Sequence, residues 1–253
     1  MLKIVVVTDL TKMRGDRVCI AGIDQSGKSI RPILKSRAGG VSRSCLYIGN
    51  RLAIQPRAKI GFNFRSVRVE PPHIEDLGFV PSSISYQGVC NDVEWESVLK
   101  SNLFHSVQDI YDGLLQSPHW VHPGAKTRSL GTVTGVEIID ITFEERDDKR
   151  EYRMHFVDSK GHRYSSVIIN DLAFQAFAAA EVKRLQSNVS AARLVRNLIK
   201  RTDRLYVRLG LARPWLNQIL GELNAGCRSR GYTPFPITWV ANHSLISSCI
   251  QNL

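Results

Sequence analysis

Between Arg51 and Arg65 the chain alternates. The odd positions are Arg51, Ala53, Gln55, Arg57, Lys59, Gly61, Asn63 and Arg65, and the even ones Leu52, Ile54, Pro56, Ala58, Ile60, Phe62 and Phe64. A period of two sends successive side chains to opposite faces of a strand, so this segment predicts one apolar and one basic face. Pro56 interrupts it, because proline has no N–H for a central ladder. Both Phe side chains take the apolar parity, and Tyr47 is the remaining aromatic of residues 1–68. That pattern weighs against a base-stacking mode, which needs exposed rings on the basic face.

The rest of the first half reads as strands followed by helices. Residues 3–8 form a short apolar strand, and Arg17–Asp24 and residues 28–34 flank Gln25-Ser26-Gly27, a hairpin turn in which glycine supplies a positive φ. A Gly/Ser-rich stretch covers residues 37–44, and beyond the alternating segment Pro71-Pro72 and Pro81 punctuate the chain. Residues 92–104 and 106–115 predict helices, with Asn91 or Asp92 as cap. Residues 118–126, containing Pro123-Gly124, mark a boundary.

The second half restarts the same grammar. Residues 133–145, 150–157 and 162–169 form a three-strand meander with turns at Asp147-Asp148 and at residues 158–161. Helices come next at 171–185 and 191–201, then strands at 205–209 and 231–240. A meander, a helix and returning strands is the order of an OB barrel. The expected fold is therefore mainly β with inserted helices: two OB-like small barrels in tandem. Residues 1–118 carry a helical extension and residues 127–253 a basic helix.

Charge sharpens the picture by where it sits. The 253 residues hold 34 Lys+Arg against 23 Asp+Glu, a formal net charge of +11. Residues 1–68 have 14 basic and 3 acidic side chains, residues 69–182 have 9 and 18, and residues 183–253 have 11 and 2. Two basic blocks thus flank an acidic middle. Such a field favours a polyanion, since each neutralised phosphate releases counterions; the alternative is neutralisation inside the fold or by a partner. In the second block Ser190 is a candidate N-cap, and Ala192, Val195, Leu198 and Ile199 form an apolar helical stripe. Arg193, Arg196, Lys200, Arg201 and Arg204 take the complementary spacing, which would equally suit a solvated helix face. Together with Arg51, Arg57, Lys59, Arg65 and Arg68 they are the candidate nucleic-acid contacts.

Composition excludes several classes. No apolar run approaches the ~18 residues of a membrane helix. The run Ile4 to Val7 is too short for a secretory core of roughly 7–15 residues, so a cytoplasmic location is expected. The five cysteines (Cys19, Cys45, Cys90, Cys227, Cys249) have no zinc-ligand spacing and suggest small buried hydrophobes rather than disulfides.

Several short patches carry a resemblance. Lys3-Ile-Val-Val-Val7, and Arg17-Val-Cys-Ile-Ala-Gly-Ile-Asp24 leading into Ile30-Arg31-Pro32, open the series. Pro71-Pro72-His73-Ile-Glu-Asp76, Ser129-Leu-Gly131, Ile168-Ile-Asn-Asp-Leu172 and Tyr206-Val-Arg-Leu-Gly-Leu-Ala-Arg-Pro-Trp215 continue it. In this order they resemble the dual-OB domain family of prokaryotic proteins, with an altered ending at Gly231-Tyr-Thr-Pro-Phe-Pro236. The resemblance implies two OB-like barrels and nucleic-acid handling in mobile-element or phage-defence settings. It brings no catalytic residues, and fold does not fix function.

Other motifs bear on possible chemistry. Gly22-Ile-Asp-Gln-Ser-Gly27-Lys28-Ser29 matches the P-loop pattern, in which backbone amides cradle phosphates, the Lys reaches them and the hydroxyl holds Mg²⁺. A P-loop must open a helix, yet Pro32 and the alternation around the motif fit a hairpin better. His119 and His122 flank Trp-Val between two prolines, off any helix, and read as a structural loop. Glu144-Glu145-Arg146-Asp147-Asp148 could hold Mg²⁺ in a nuclease but sits where a hairpin must turn. His73, Glu75 and Asp76 would need a neighbouring nucleophile to do catalysis. The expectation is a non-enzymatic nucleic-acid-binding accessory protein, without cofactor or metal, in a larger prokaryotic assembly of partner proteins. The alternatives are an adaptor docked on an acidic protein, or a nucleotide-binding protein acting through Lys28 and Ser29.

Overall fold

The computed structural model describes residues 1–34, 40–116, 120–122, 124–146, 149–202, 204–212 and 236–240. Trp215, His119, Asp147-Asp148 and residues 231–235, all singled out by the sequence, lie outside the described residues, as do 37–39 of the Gly/Ser-rich stretch and residues 118, 119 and 123 of the boundary.

The first barrel uses β1 (Leu2–Lys12), β2 (Arg17–Asp24), β3 (Ser29–Ile33), short β4 (Val41–Ser42), the hairpin β5 (Tyr47–Ile48) and β6 (Arg51–Leu52), then β7 (Ala58–Arg65), β8 (Asp76–Phe79) and β9 (Ser85–Val89). The circuit β1-β2-β3-β8-β7 closes because β7 returns to β1. All its pairings are antiparallel except β3 with β8. β1 is long enough to serve two neighbours: Leu2 to Val6 pair with β7, and Val5 to Lys12 with β2. A register shift between Val7 and Asp9 bends it from one to the other, as bulges do. The alternation holds in β7, where Ala58, Ile60, Phe62 and Phe64 are buried, with Phe62 packed on Phe64 and Phe79. It does not run back to Arg51: that residue belongs to β6, and Pro56 and Arg57 form a turn in which Arg57 has φ 76°.

After the barrel, α1 (Asp92–Lys100) starts at a capping box in which Asn91 Oδ1 accepts from the Glu94 amide and Glu94 Oε2 from the Asn91 amide. Both predicted helices are shorter than their sequence signal. Leu103–Phe104 becomes β10, pairing in parallel with β11 (Leu130–Val133), and α2 covers Val107–Ile110 alone. A partner strand overrides helical propensity at Leu103.

The second barrel adds β12 (Glu137–Arg146), β13 (Lys149–Val157), β14 (Arg163–Ile169), α3 (Leu172–Leu185), α4 (Asn188–Lys200), β15 (Tyr206–Gly210) and β16 (Pro236–Val240). The single strand read at 133–145 is two pieces bent at Gly135, φ 66°. β11 pairs with β15 and β12 with β13, so the bent pair acts as a first strand closing the path β12-β13-β14-β16-β15-β11. β14 and β16 are parallel, matching β3 and β8 in the first barrel. Helix α4 is capped by Ser187, whose Oγ accepts from the Ser190 amide; Ser190 is therefore in the first turn, not the cap.

The two barrels share details finer than topology. At the β2–β3 turn Asp24 Oδ1 accepts from the Ser26 and Lys28 amides, the Asp24 amide donates to Lys28 O, and Gly27 N donates to Asp24 O. At the β13–β14 turn Asp158 Oδ1 accepts from the Lys160 and His162 amides, the Asp158 amide donates to His162 O, and Gly161 N donates to Asp158 O. Gly27 and Gly161 have φ 78° and 82°, a conformation that glycine takes at no steric cost. The bulge recurs as well: the ladder shifts between Gly22 and Ala21 in one barrel and between Phe156 and His155 in the other, at the same distance from the turn aspartate. The first of these turns is the P-loop lookalike. Its amides point at the Asp24 carboxylate instead of a phosphate, and Ser29 begins a strand instead of a helix. Burial would push the Asp24 carboxyl up, but hydrogen bonds from Ser26, Lys3 and Lys28 hold it below the usual range.

Buried charge joins the halves. Arg31 bonds Asp76 Oδ1 at 3.1 Å, lies 2.9 Å from His73 Nδ1 and donates to Ser129 Oγ at 2.9 Å. Glu75 accepts from Ser129 N, Ser129 Oγ and Leu130 N. On β15, Arg208 grips Asp9 through Nε and NH2 and donates to Thr132 Oγ1. Arg208 is 1% exposed and Asp9 3%. Beside them Lys12 N donates to Asn170 O, and Asp171 caps α3 through Phe174 N. Burial, opposed by the Phe174 amide and reinforced by the Asp9 carboxylate, pushes the Asp171 carboxyl up to about 7.

This architecture sets three measurable outcomes. Arg208→Met leaves Asp9 buried and unpaired, so urea melts should show a loss of about 3–5 kcal/mol, most of it recovered when Asp9→Leu is added. Asp171 is harder to ionise folded than unfolded, so its contribution is present below its ordinary value of 3.8 and is lost as pH rises through about 7. Asp171→Asn keeps the cap acceptor, and its melting temperature should gain on the parent between pH 5 and pH 8; parallel curves would contradict the burial argument. ATP or GTP should not raise the melting temperature of the parent or of Lys28→Ala, whereas a ligand at a hundred times its Kd adds about 2.7 kcal/mol.

Candidate nucleic-acid interface

The usual ligand surface of an OB barrel is the face of its second and third strands with the adjoining loops. Counting from the turn aspartates matches that face between the barrels. Outward from β2 and β3 come Cys19, Ala21, Ile23, Ser29 and Arg31; outward from β13 and β14 come Arg153, His155, Val157, Arg163 and Ser165. In the first barrel Ala21, Ile23, Ser29 and Arg31 are all buried, and Arg31 donates to Ser129 of the second half. In the second barrel Arg163 and Ser165 are exposed and Arg153 and His155 half-buried. One face is consumed and its counterpart is open.

The open face has local structure of its own. Tyr164 pairs with Phe156 but Val167 with Met154, so β14 bulges opposite His155. Ser166 sits in the bulge with φ 57°, an uncommon conformation for a residue with a side chain. Its amide donates to His155 Nδ1 at 3.3 Å and its carbonyl accepts from Arg153 at 3.1 Å, while Arg153 also pairs with Glu151 at 2.6 Å. His155 stands opposite Asp140 on β12, and Asp140 pairs with Arg196 of α4 at 3.2 Å. These contacts lead from β14 to the basic helix, which packs against β12 through Ala191, Ala192, Val195 and Ile199. Arg193, Lys200 and Arg201 remain exposed and make no ion pair with a described residue.

The first basic stretch is distributed differently. Arg57 pairs with Asp92 and lies over the Trp95 ring at 5.6 Å, and Lys59 pairs with Glu94 at 2.7 Å. Lys59 holds the Glu94 carboxyl below the usual range. Arg204 pairs with Glu96 on the same helix. The acidic first turns of α1 thus meet cations from both basic blocks. Arg65 and Arg68 are exposed without an ion pair to a described residue, and Arg51 lies over the Tyr86 ring.

The sequence-derived alternatives for chemistry come apart here. His73, Glu75 and Asp76 are committed to the Arg31 contacts, and burial pushes the neighbouring Cys19 thiol up despite Arg31, the reverse of an activated nucleophile. Lys28 is exposed at a hairpin tip and Ser29 is buried. Glu144 and Glu145 are exposed at the end of β12, and His122 packs against Trp120. No group of three or more His, Cys, Asp or Glu side chains among the described residues is arranged to hold a metal, and no helix among them is long and apolar enough to cross a membrane.

Sequence reading missed Arg153, His155 and Arg163. The available signal was the paired turns Asp24-Gln-Ser-Gly27 and Asp158-Ser-Lys-Gly161, from which equivalent outward positions can be counted. Among curated proteins and among solved structures nothing matches this chain. The family model for the dual OB-containing domain matches residues 2–225. With two barrels of OB strand order and that match over most of its length, the chain belongs to the dual OB-containing domain family.

Proposed function

We propose that this protein binds nucleic acid through the open sheet face of the second barrel and the adjoining helix α4, with no catalytic chemistry of its own. One observation carries the reading: the face that OB barrels use for ligands is buried in the first barrel, where Arg31 bonds Ser129 of the second half, and is left accessible in the second. The accessible copy replaces Cys19 and Ser29 with Arg153 and Arg163, and α4 extends it with Arg193, Lys200 and Arg201. Cations of this kind hold phosphates without reading sequence. The first barrel then acts as the support that orients the second. The family resemblance supports a place beside partner proteins in a prokaryotic defence or mobile-element assembly.

A second reading, docking on an acidic protein, is favoured by one feature. Asp140, Glu144 and Glu151 interrupt the cations of β12 and β13, a mixture that suits a protein surface better than a uniform phosphate chain. The two readings separate in a salt series. Arg163→Glu, Arg193→Glu and Lys200→Glu together should weaken oligonucleotide binding alike for all sequences and flatten the slope of log K against log salt, by about 0.7–0.9 per lost phosphate contact. Fluorescence anisotropy on labelled oligonucleotides measures both. An unchanged affinity in a folded triple variant, with loss of a co-purifying protein, would favour the adaptor.

A further inference from the structure

The connection between the third and fourth barrel strands differs between the halves. In the second barrel it holds α3 and α4; in the first it holds the β5–β6 hairpin. That hairpin turns through Gly49 and Asn50, with Gly49 at φ 59°, the conformation a two-residue turn with glycine first requires. Ile48 stands directly opposite Arg51, so the two side chains share a face of the hairpin. Arg51 lies over the ring of Tyr86 on β9, 4.6 Å from its centroid, and bonds the phenol oxygen at 3.3 Å. The guanidinium is therefore held in place over an aromatic ring by two contacts to one side chain. Arg51 is exposed and makes no ion pair with a described residue, in contrast with Arg57 and Lys59 nearby in sequence. Ile48 is 42% exposed and Tyr47, the next residue of the same tip, 44%.

We infer that this tip is a stacking platform for an unpaired nucleobase. An exposed guanidinium held over a ring still offers water a flat, cationic and weakly hydrated group. A nucleobase fits all three properties, and arginine planes and aromatic rings are what single-stranded nucleic acids stack on. Ile48 supplies an apolar edge beside the plane. A duplex offers its base faces to its own neighbours, so the platform selects single strands. Arg51 is then a recognition element rather than one more phosphate contact. The inference rests on the nucleic-acid reading above and adds to it the strandedness of the ligand. The stretch from residue 1 to 68, with 14 cations against 3 carboxylates, provides the attractive field in which such a base would approach.

The test uses the full chain, single-stranded DNA and RNA 12-mers carrying one 2-aminopurine, and the matching duplexes. Arg51→Lys keeps the charge and loses the plane; Tyr86→Leu removes the ring beneath it. Both are compared with the parent by circular dichroism and melting temperature, and Arg51→Lys carries the result should Tyr86→Leu unfold. The expected result is tighter binding of single strands than duplex, quenching of 2-aminopurine on binding, and a loss of about ten-fold or more in single-strand affinity for Arg51→Lys. Duplex affinity should stay unchanged. Single-strand affinity and quenching that survive in folded Arg51→Lys would overturn the platform and leave the nucleic-acid reading standing. Absence of binding to every oligonucleotide would overturn both. Loss of a co-purifying protein with no change toward nucleic acid would reassign the tip to protein contact.

Discussion

Two buried guanidinium groups, Arg31 and Arg208, set the arrangement of the rest of the molecule. An arginine removed from water is tolerated only with a carboxylate and enough acceptors around it. Asp76 and Ser129 satisfy Arg31, and Asp9 and Thr132 satisfy Arg208. The partners come from both halves of the chain: Arg208 and Thr132 belong to the second barrel's closing strands and Asp9 to the bulge of β1. Parting the barrels would break the Arg208–Asp9 pair together with the bonds that Ser129 makes to Arg31 and Glu75, so these contacts fix one placement of the halves. The patches Arg31, His73 to Asp76, Ser129, Asp171 and Arg208, scattered in sequence, converge on this contact.

The barrels differ in how far one face is buried. The barrels repeat one design, with the same aspartate–glycine turn, the same bulge and the same parallel pair of strands. What differs is the outward residues. Cys19, Ala21, Ile23 and Ser29 are small or apolar, the last three are buried, and Arg31 beside them bonds Ser129 of the second half. At the equivalent positions Arg153, His155, Arg163 and Ser165 keep the face hydrated and available. The connections between third and fourth strands diverge too, into a hairpin with Arg51 on Tyr86 in one barrel and a basic helix in the other.

The acidic middle of the chain has a similar division of labour. Asp92, Glu94 and Glu96 on α1 meet Arg57, Lys59 and Arg204, drawn from both basic blocks. Their helix is seated by Trp95 and Leu99 against Cys90, with Val6 and Tyr206 alongside. Neutralisation inside the fold and attraction of an outside polyanion are therefore not competing accounts of one charge distribution. Some cations are met internally, and Arg65, Arg68, Arg163, Arg193, Lys200 and Arg201 are left facing water.

Much of the local structure was legible in the residues. The Gln25-Ser26-Gly27 hairpin, the inward parity of β7, the Asn91 cap, the meander of the second half and its two helices all rest on signals within a few positions of each other. The errors are equally local in origin: Ser187 caps α4 because the helix starts one turn before its apolar stripe, and Leu103 joins a strand because β11 is there to pair with it. The fate of each charge was not legible. Arg57 and Lys59 carry the same alternation as Arg65, yet only the folded chain brings Asp92 and Glu94 against them. Arg208 finds its partner 199 positions away, and Arg31 finds Asp76 at a separation of 45. Periodicity and turn chemistry act through neighbouring backbone and so are written in the sequence; whether a cation is buried, paired or offered to a ligand depends on what faces it across the fold, and only the tertiary structure decides that.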